Sequence, residues 1–339
     1  MSRLILDAIE VNAIRTLLSE LTSQYSSTED EGFLKDVSVF AHELPRRVRR
    51  FLNDFKQLEP APGVCVISGY PVDDSALGPT PAHWRSMDGV SPALAEEMLF
   101  LLCASLLGEV FGWATQQGGR LMHEVLPIKD DEDEQMGTGS LQTIWWHNEE
   151  AFHPYRSDYV GLMCLRNHDS VPTTFASVDM LELDAEVIDK LFEPRYTIMP
   201  DDTHTSVNNW RDGGAGDALK AARRRLEQML NNPQPQPVMF GHPRSPYLCL
   251  DPYYMPPPND GAALRAFNAL THEIDAKLSE VVLQPGDILF VDNYRAVHGR
   301  KSFKARYDGA DRWLKRVNVT RDLRKSRDSR ETSSSRIVY

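Results

Sequence analysis

The sequence predicts a mainly β fold with helical additions, an antiparallel sandwich or barrel, and three observations carry that reading. Short apolar runs recur between turn residues: VCVISGYPV (64–72), DYVGLMCLRN (158–167), PYLCLDPYYM (246–255), VVLQPGDILFVDNYRAVHGR (281–300) and RWLKRVNVTRDL (312–323). Runs of that length, bounded by Pro, Gly and Asp, read as strands. Helical periodicity is instead concentrated near the N-terminus and in segments that look inserted between strands. No repeat of 20–50 residues and no low-complexity block before the last residues divides the chain, so one decorated core is expected.

Residues 8–24 and 44–57 carry apolar side chains at three- and four-residue spacing and read as amphipathic helices. From Ser91 the chain reads Ser, Pro, then Glu-Glu before an apolar run, which predicts a helix capped by Ser91 with Pro92 at its first position. LPIKDDEDEQMGTGSLQ (126–142) is an acidic, Gly-containing loop, solvated by default and otherwise a gate over an entrance. TTFASVDMLE leads into a helix over 183–192, and RYTIMPDDTH (195–204) ends a strand at a Pro-Asp turn. Residues 208–237 read as an insertion with a short charged helix, whose ARRR run (222–225) is an exposed face. A helix over 261–280 follows, and Pro285-Gly286 turns between paired strands. A single domain over 1–323 is expected, with 324–339 a polar, mobile tail.

The chain is 41% hydrophobic and 25% charged, enough to bury an ample core. Its net charge of −12, with no basic stretch interleaved with aromatics, argues against a general nucleic-acid binder. Cys65, Cys103, Cys164 and Cys249 are scattered in apolar runs that fit no zinc spacing, and read as buried thiols. No signal-peptide pattern opens the chain, and the apolar run from Met98 is interrupted at Gly108 and Glu109, too short to span a bilayer. The expectation is a cytoplasmic protein with a small-molecule partner, no nucleic acid and no membrane; oligomeric state is not legible.

WWHNEEAFHPYR (145–156) holds the densest chemistry. Two residues apart on a strand, His147 and Glu149 share a face and could grip one metal. His298, 151 residues after His147 on a strand-like run, supplies a third ligand. Two histidines and a carboxylate on one face form the triad of non-haem Fe(II) oxygenases, which leaves positions open for a bidentate cosubstrate and O₂. Fourteen residues past His298 stands Arg312, whose planar fork suits the terminal carboxylate of a dicarboxylic cosubstrate, and Arg316 follows. His-x-Glu alone is weak; the ordering of all four groups carries the reading. Of Trp145 and Trp146, one is expected in the core, and His153 and His168 are expected in structural or surface roles.

WHNEEAFHPYRSDYVGLMCLRN, FVDNYRAVHGRKSFKARYDGADRWLKRVNVTRDLRKSR, and FGWATQQGGR with VLPIK resemble the clavaminate synthase-like Fe(II)/2-oxoglutarate oxygenases, in their arginine/enduracididine β-hydroxylase branch. The resemblance runs from about residue 38 to residue 327. It implies a double-stranded β-helix (jelly roll) core, Fe(II), 2-oxoglutarate and O₂, and hydroxylation, at C3, of a free cationic guanidino amino acid in natural-product biosynthesis. Iron would fall to His147, Glu149 and His298, and the distal carboxylate of 2-oxoglutarate to Arg312 with Thr173 or Thr174. Arg316 would meet the substrate carboxylate, Gln116 and Glu149 its amine, and Asp201 or Asp202 with Asp251 its guanidinium. Some arginine hydroxylases carry a second aspartate two residues after the first; this chain has Tyr253, which keeps a cation–π contact but alters the pocket. Retention of Glu149 disfavours halogenation. A desaturase or cyclase on the same scaffold, a hydroxylase of lysine or asparagine, and a non-catalytic ligand-binding jelly roll stand as the alternatives.

Overall fold

The structure is a computed structural model that describes all residues except 88, 206–209 and 211–216. Its helices are α1 (Ala8–Gln24), α2 (Glu31–Ala41), α3 (Arg46–Leu58), α4 (Asp74–Leu77), α5 (Leu94–Leu107), α6 (Ala185–Leu191), α7 (Asp202–Thr205), α8 (Asp217–Asn231) and α9 (Gly261–Lys277). Asp7 and Glu10 form a reciprocal cap at the start of α1, and Asp30 and Asp260 cap α2 and α9. Helix α5 starts later than the Ser-Pro signal predicts. Ser91 and Pro92 sit in a turn before it, where the Ser91 hydroxyl donates to Glu97 at 2.6 Å and accepts from the Ala93 amide at 3.2 Å.

The strands are β1 (Ser2–Ile5), β2 (Val64–Ser68), β3 (Glu109–Trp113), β4 (His123–Val125), β5 (Ile144–His147), β6 (Tyr159–Arg166), β7 (Thr173–Ser177), β8 (Met239–His242), β9 (Ser245–Leu248), β10 (Ser279–Val281), β11 (Ile288–Asp292), β12 (Ala296–Arg300), β13 (Trp313–Thr320) and β14 (Ile337–Val338). The larger sheet runs β1-β2-β11-β6-β13-β3-β14, with β4 also on β13; the smaller runs β10-β7-β12-β5. Between them lies an apolar layer of Val64, Val66, Leu162, Phe175, Leu289, Val291 and Leu314. Helices α1, α2, α3 and α5 cover the outer face of the larger sheet through the largest apolar cluster, while α6 and α9 cover the smaller sheet. The result is the expected jelly roll, helix-backed on both faces. Among the described residues, no helix is long and apolar enough to cross a membrane.

Three expectations need correction, and one helix was not expected. RYTIMPDDTH forms no strand: Tyr196 makes an isolated bridge to Gln236, and the chain then turns into α7, whose first amides Asp201 accepts. The expected mobile tail is ordered against the body. Leu323–Ser329 form a 3-10 turn, β14 pairs parallel with β3, and buried Arg330 donates to the carbonyls of Leu323, Ser333 and Ser335. The ARRR face is only partly exposed, because Arg225 donates to the carbonyls of Tyr339 and Asp328 and so fastens that C-terminal segment to α8. Helix α2 has no counterpart in the sequence reading. Part of the expected insertion, 208–209 and 211–216, lies outside the described residues.

Candidate iron and amino-acid site

Strand register assembles the site. On β12 and β5, His298 stands directly opposite His147, so two residues 151 apart in sequence meet across one strand pair. Their rings lie 4.7 Å apart, and Glu149 Oε2 sits 3.3 Å from His298 Nε2 and 3.7 Å from His147 Nε2. The ligand-capable atoms of all three lie within 4.8 Å of one another, the arrangement one ion would bridge. His147 Nδ1 donates to the Trp145 carbonyl at 2.8 Å, which leaves Nε2, the nitrogen facing Glu149, as the atom a metal would take. Burial opposes charge on His147, yet Glu149 and Asp251 push it up to about 9, the signature of a field that wants a cation. The donor set fits Fe(II), two imidazoles and one carboxylate with the rest of the cleft left open.

Between His147 and Glu149, Asn148 points away from the cleft. Its amide donates to the carbonyls of Asn293 and Ala296 and accepts from the Leu250 amide, pinning the end of β5 to the β11–β12 turn. Trp146 is the core tryptophan, bonded to Asp275 at 2.7 Å, while Trp145 is half exposed at the cleft mouth against Tyr253. His153 is buried edge-on to Trp113, and His168 is exposed beside Asp74. All four cysteines are free and buried.

The triad lines a solvent-open cleft. On one side, Arg312 is buried and, among the described residues, makes no hydrogen bond or ion pair; burial lowers it to about 10. An orphaned guanidinium beside a candidate metal site calls for an anion. Thr173 lines the same cleft, whereas Thr174 faces the other way, its hydroxyl against Gly299. Beside Arg312, Arg300 donates to the carbonyls of Gly139 and Gln142 and so holds the acidic loop, whose Gln135, Met136 and Gly137 form part of the rim. The loop is thus wall as well as solvated surface.

On the opposite side, Arg316 donates to Glu149, to Gln116 Oε1 at 3.0 Å and to His123 Nδ1 at 2.7 Å. Its charge holds Glu149 well below the usual carboxylate range against the burial that would raise it. Asp251 and Asp201 line the cleft farther out, with Tyr253 and Tyr254; Asp202 does not, its carboxylate accepting instead from the Tyr254 hydroxyl at 3.0 Å. Burial pushes Asp251 up to about 6, with His147 opposing the rise and Asp201 adding to it. Glu150, Thr203, His204, His123 and Arg300 were not foreseen. Glu150 alone left a sequence signal, standing next to Glu149.

Residues 55–318 match the taurine catabolism dioxygenase TauD, TfdA family. Enduracididine beta-hydroxylase of Streptomyces hygroscopicus is 46% identical over 97% of both chains, and L-ornithine/L-arginine 3-hydroxylase of Catenulispora acidiphila is 46% identical over 100% of both. Clavaminate synthase 2 of Streptomyces clavuligerus is 29% identical over 86% of this chain and 84% of its own. A crystal structure of the non-heme iron oxygenase OrfP with Fe, succinate and (3S)-hydroxy-L-Arg superposes with a TM-score of 0.95 at 45% identity, covering 100% of both chains. OrfP has also been solved with Fe and alpha-ketoglutaric acid. With its histidine–glutamate–histidine cluster set in the same jelly roll, the chain belongs to the TauD/TfdA family of dioxygenases.

Proposed function

We propose that this protein is an Fe(II)- and 2-oxoglutarate-dependent hydroxylase of a free guanidino amino acid, L-arginine or a cyclic relative such as enduracididine, acting at C3. One observation carries the reading: the His147–Glu149–His298 cluster lies between a buried cation, Arg312, that has no counter-charge among the described residues, and a carboxylate, Asp251, faced by the His147 imidazole and by a second carboxylate, Asp201. A dicarboxylate on one side and a cationic side chain on the other would neutralise both. When bound, iron with 2-oxoglutarate and O₂ supplies the oxidising power, releasing succinate and CO₂.

The chain's own part is placement. His147, Glu149 and His298 would hold the metal on one face; Arg312 would fork onto the distal carboxylate of 2-oxoglutarate, with Thr173 as a second donor. Arg316 would take the substrate carboxylate and Gln116 Oε1 its ammonium, with Glu149 adding negative charge beside it. Asp251 and Asp201 would receive the guanidinium while Tyr253 offers it a ring face. Set this way, the substrate's methylene chain rather than its charged ends would face the metal.

The test is incubation of the Fe(II)-loaded protein with 2-oxoglutarate and a panel of free amino acids, read by mass spectrometry. Arginine-type substrates should gain one oxygen, and neutral ones such as leucine should react slower by orders of magnitude, because they strand Asp251 unpaired. His298→Ala should remove turnover and Fe(II) binding together. Equal turnover of leucine and arginine, or an active H298A protein, would refute the assignment.

A further inference from the structure

Glu150 follows a candidate iron ligand, and its backbone is left-handed, with φ at 54°. Such a conformation is costly for a non-glycine residue and persists where surrounding contacts fix it. Here it has a geometric consequence. On a regular strand, adjacent side chains point to opposite faces, but the turn at Glu150 brings Glu149 and Glu150 to the same cleft. The Glu150 side chain is then fully engaged. Its Oε2 pairs with His204 Nε2, its Oε1 accepts from Gln116 Nε2 at 2.8 Å, and His204 Nδ1 meets the Thr115 hydroxyl at 2.6 Å.

The polarity of this chain is forced. With Glu150 Oε2 taken up by His204, Oε1 is left to accept and faces the NH₂ of Gln116; Arg316 only donates, so it must face the amide oxygen. Gln116 Nε2 also donates to Thr203 Oγ1 at 2.7 Å, which leaves the Thr203 hydroxyl hydrogen to go to Asp201 Oδ1. That oxygen of Asp201 also accepts the Thr203 amide at 2.9 Å. One connected line of hydrogen bonds thus joins His204, Glu150, Gln116, Thr203 and Asp201, with Glu150 accepting from both of its neighbours and Gln116 donating onward to Thr203 and Asp201.

We propose that the buried Glu150–His204 pair is the positioning device of the amino-acid site, fixing the Gln116 amide and, through Thr203, the carboxylate of Asp201. The inference rests on the functional reading above, in which Gln116 and Asp201 address opposite ends of the substrate. Neither Glu150 nor His204 need touch substrate; they act by removing the alternative orientation of Gln116 and by seating α7.

Glu150→Gln keeps size and shape but removes the charge that demands a donor, so the Gln116 amide is held by Arg316 alone. Binding of L-arginine to the Fe(II)- and 2-oxoglutarate-loaded enzyme, measured without O₂ by calorimetry, should weaken about tenfold or more, while binding of 2-oxoglutarate stays within about twofold. In air, succinate should form in excess of hydroxylated product. Where E150Q does not fold, His204→Gln is read against the same two ligands. Unchanged arginine affinity in E150Q, or equal loss of arginine and 2-oxoglutarate binding, overturns the positioning role. A wild-type protein that binds no guanidino amino acid overturns the functional reading itself, and the positioning role with it.

Discussion

Arg312 and Glu149 are both buried charges, and they differ in what surrounds them. Glu149 has Arg316 and two imidazoles in contact, while Arg312 has no partner among the described residues. A guanidinium buried alone costs free energy that a bound dicarboxylate would return. Arg312→Lys keeps the charge but loses the bidentate fork, so the apparent KM for 2-oxoglutarate should rise by about ten- to a hundredfold. The KM for the amino acid should move much less, and steady-state kinetics with each substrate varied in turn checks the split. A loss confined to the amino acid would exchange the roles of Arg312 and Arg316. The four residues of this core were legible because their roles depend on residue type and spacing: a two-residue step on a strand, a distant histidine, an arginine fourteen later. Glu150 and His204 were not, because their roles depend on a left-handed backbone and a short helix that no pattern in the sequence announces.

At the scale of elements, the site is a matter of strand register. β12 lies between β5 and β7, and Gly299, one residue after His298, lets β5 approach closely. A Cβ at Gly299 would stand 2.5 Å from the Ile144 carbonyl oxygen and 3.0 Å from the Thr174 hydroxyl. Backbone on one side cannot swing away as a side chain could. Gly299→Ala should therefore push β5 off β12 and separate His147 from His298 without dismantling either sheet. Fe(II) affinity and kcat should each fall about tenfold or more, with a melting temperature lowered by only a few degrees; metal titration and thermal unfolding give both. A G299A protein with normal iron affinity would mean that the close approach is not what sets the ligand spacing. The same level explains which elements were readable. Long runs such as β6, β13 and α9 carry enough periodicity to declare themselves. TTFAS, by contrast, owes its strand state to pairing with β12 and β10, and Tyr196 lacks a strand because only Gln236 faces it.

Over the whole molecule, the C-terminal residues close against β3, and the aromatic layer beneath them shapes how the protein responds to acid. Trp113 on β3 packs against Phe111, the His153 ring at 4.4 Å and His204 at 5.6 Å. His153 Nδ1 accepts from the Tyr155 amide at 3.0 Å, which requires an unprotonated nitrogen there. Burial, with His204 and Arg225 adding positive charge nearby, lowers His153 to about 3. The ordinary histidine value is about 6.5, so between pH 6.5 and about 3 the unfolded chain binds a proton that the folded chain refuses. Stability rises with pH wherever the unfolded state binds more protons. This residue's share is therefore intact above pH 6.5 and is lost progressively as pH falls toward 3, at about 1.4 kcal/mol per pH unit for one proton. His153→Asn keeps an acceptor for the Tyr155 amide and removes the titration. The variant should be less stable at pH 7, since it fills less of the layer beside Trp113, yet its stability should fall less steeply than wild type's as the pH drops. Urea unfolding at pH 7, 6 and 5 measures both slopes, and carboxylates common to the two proteins cancel in the difference. Parallel curves would show that His153 protonates in the folded state as readily as in the unfolded one, and the acid sensitivity would then have to come from elsewhere in the fold.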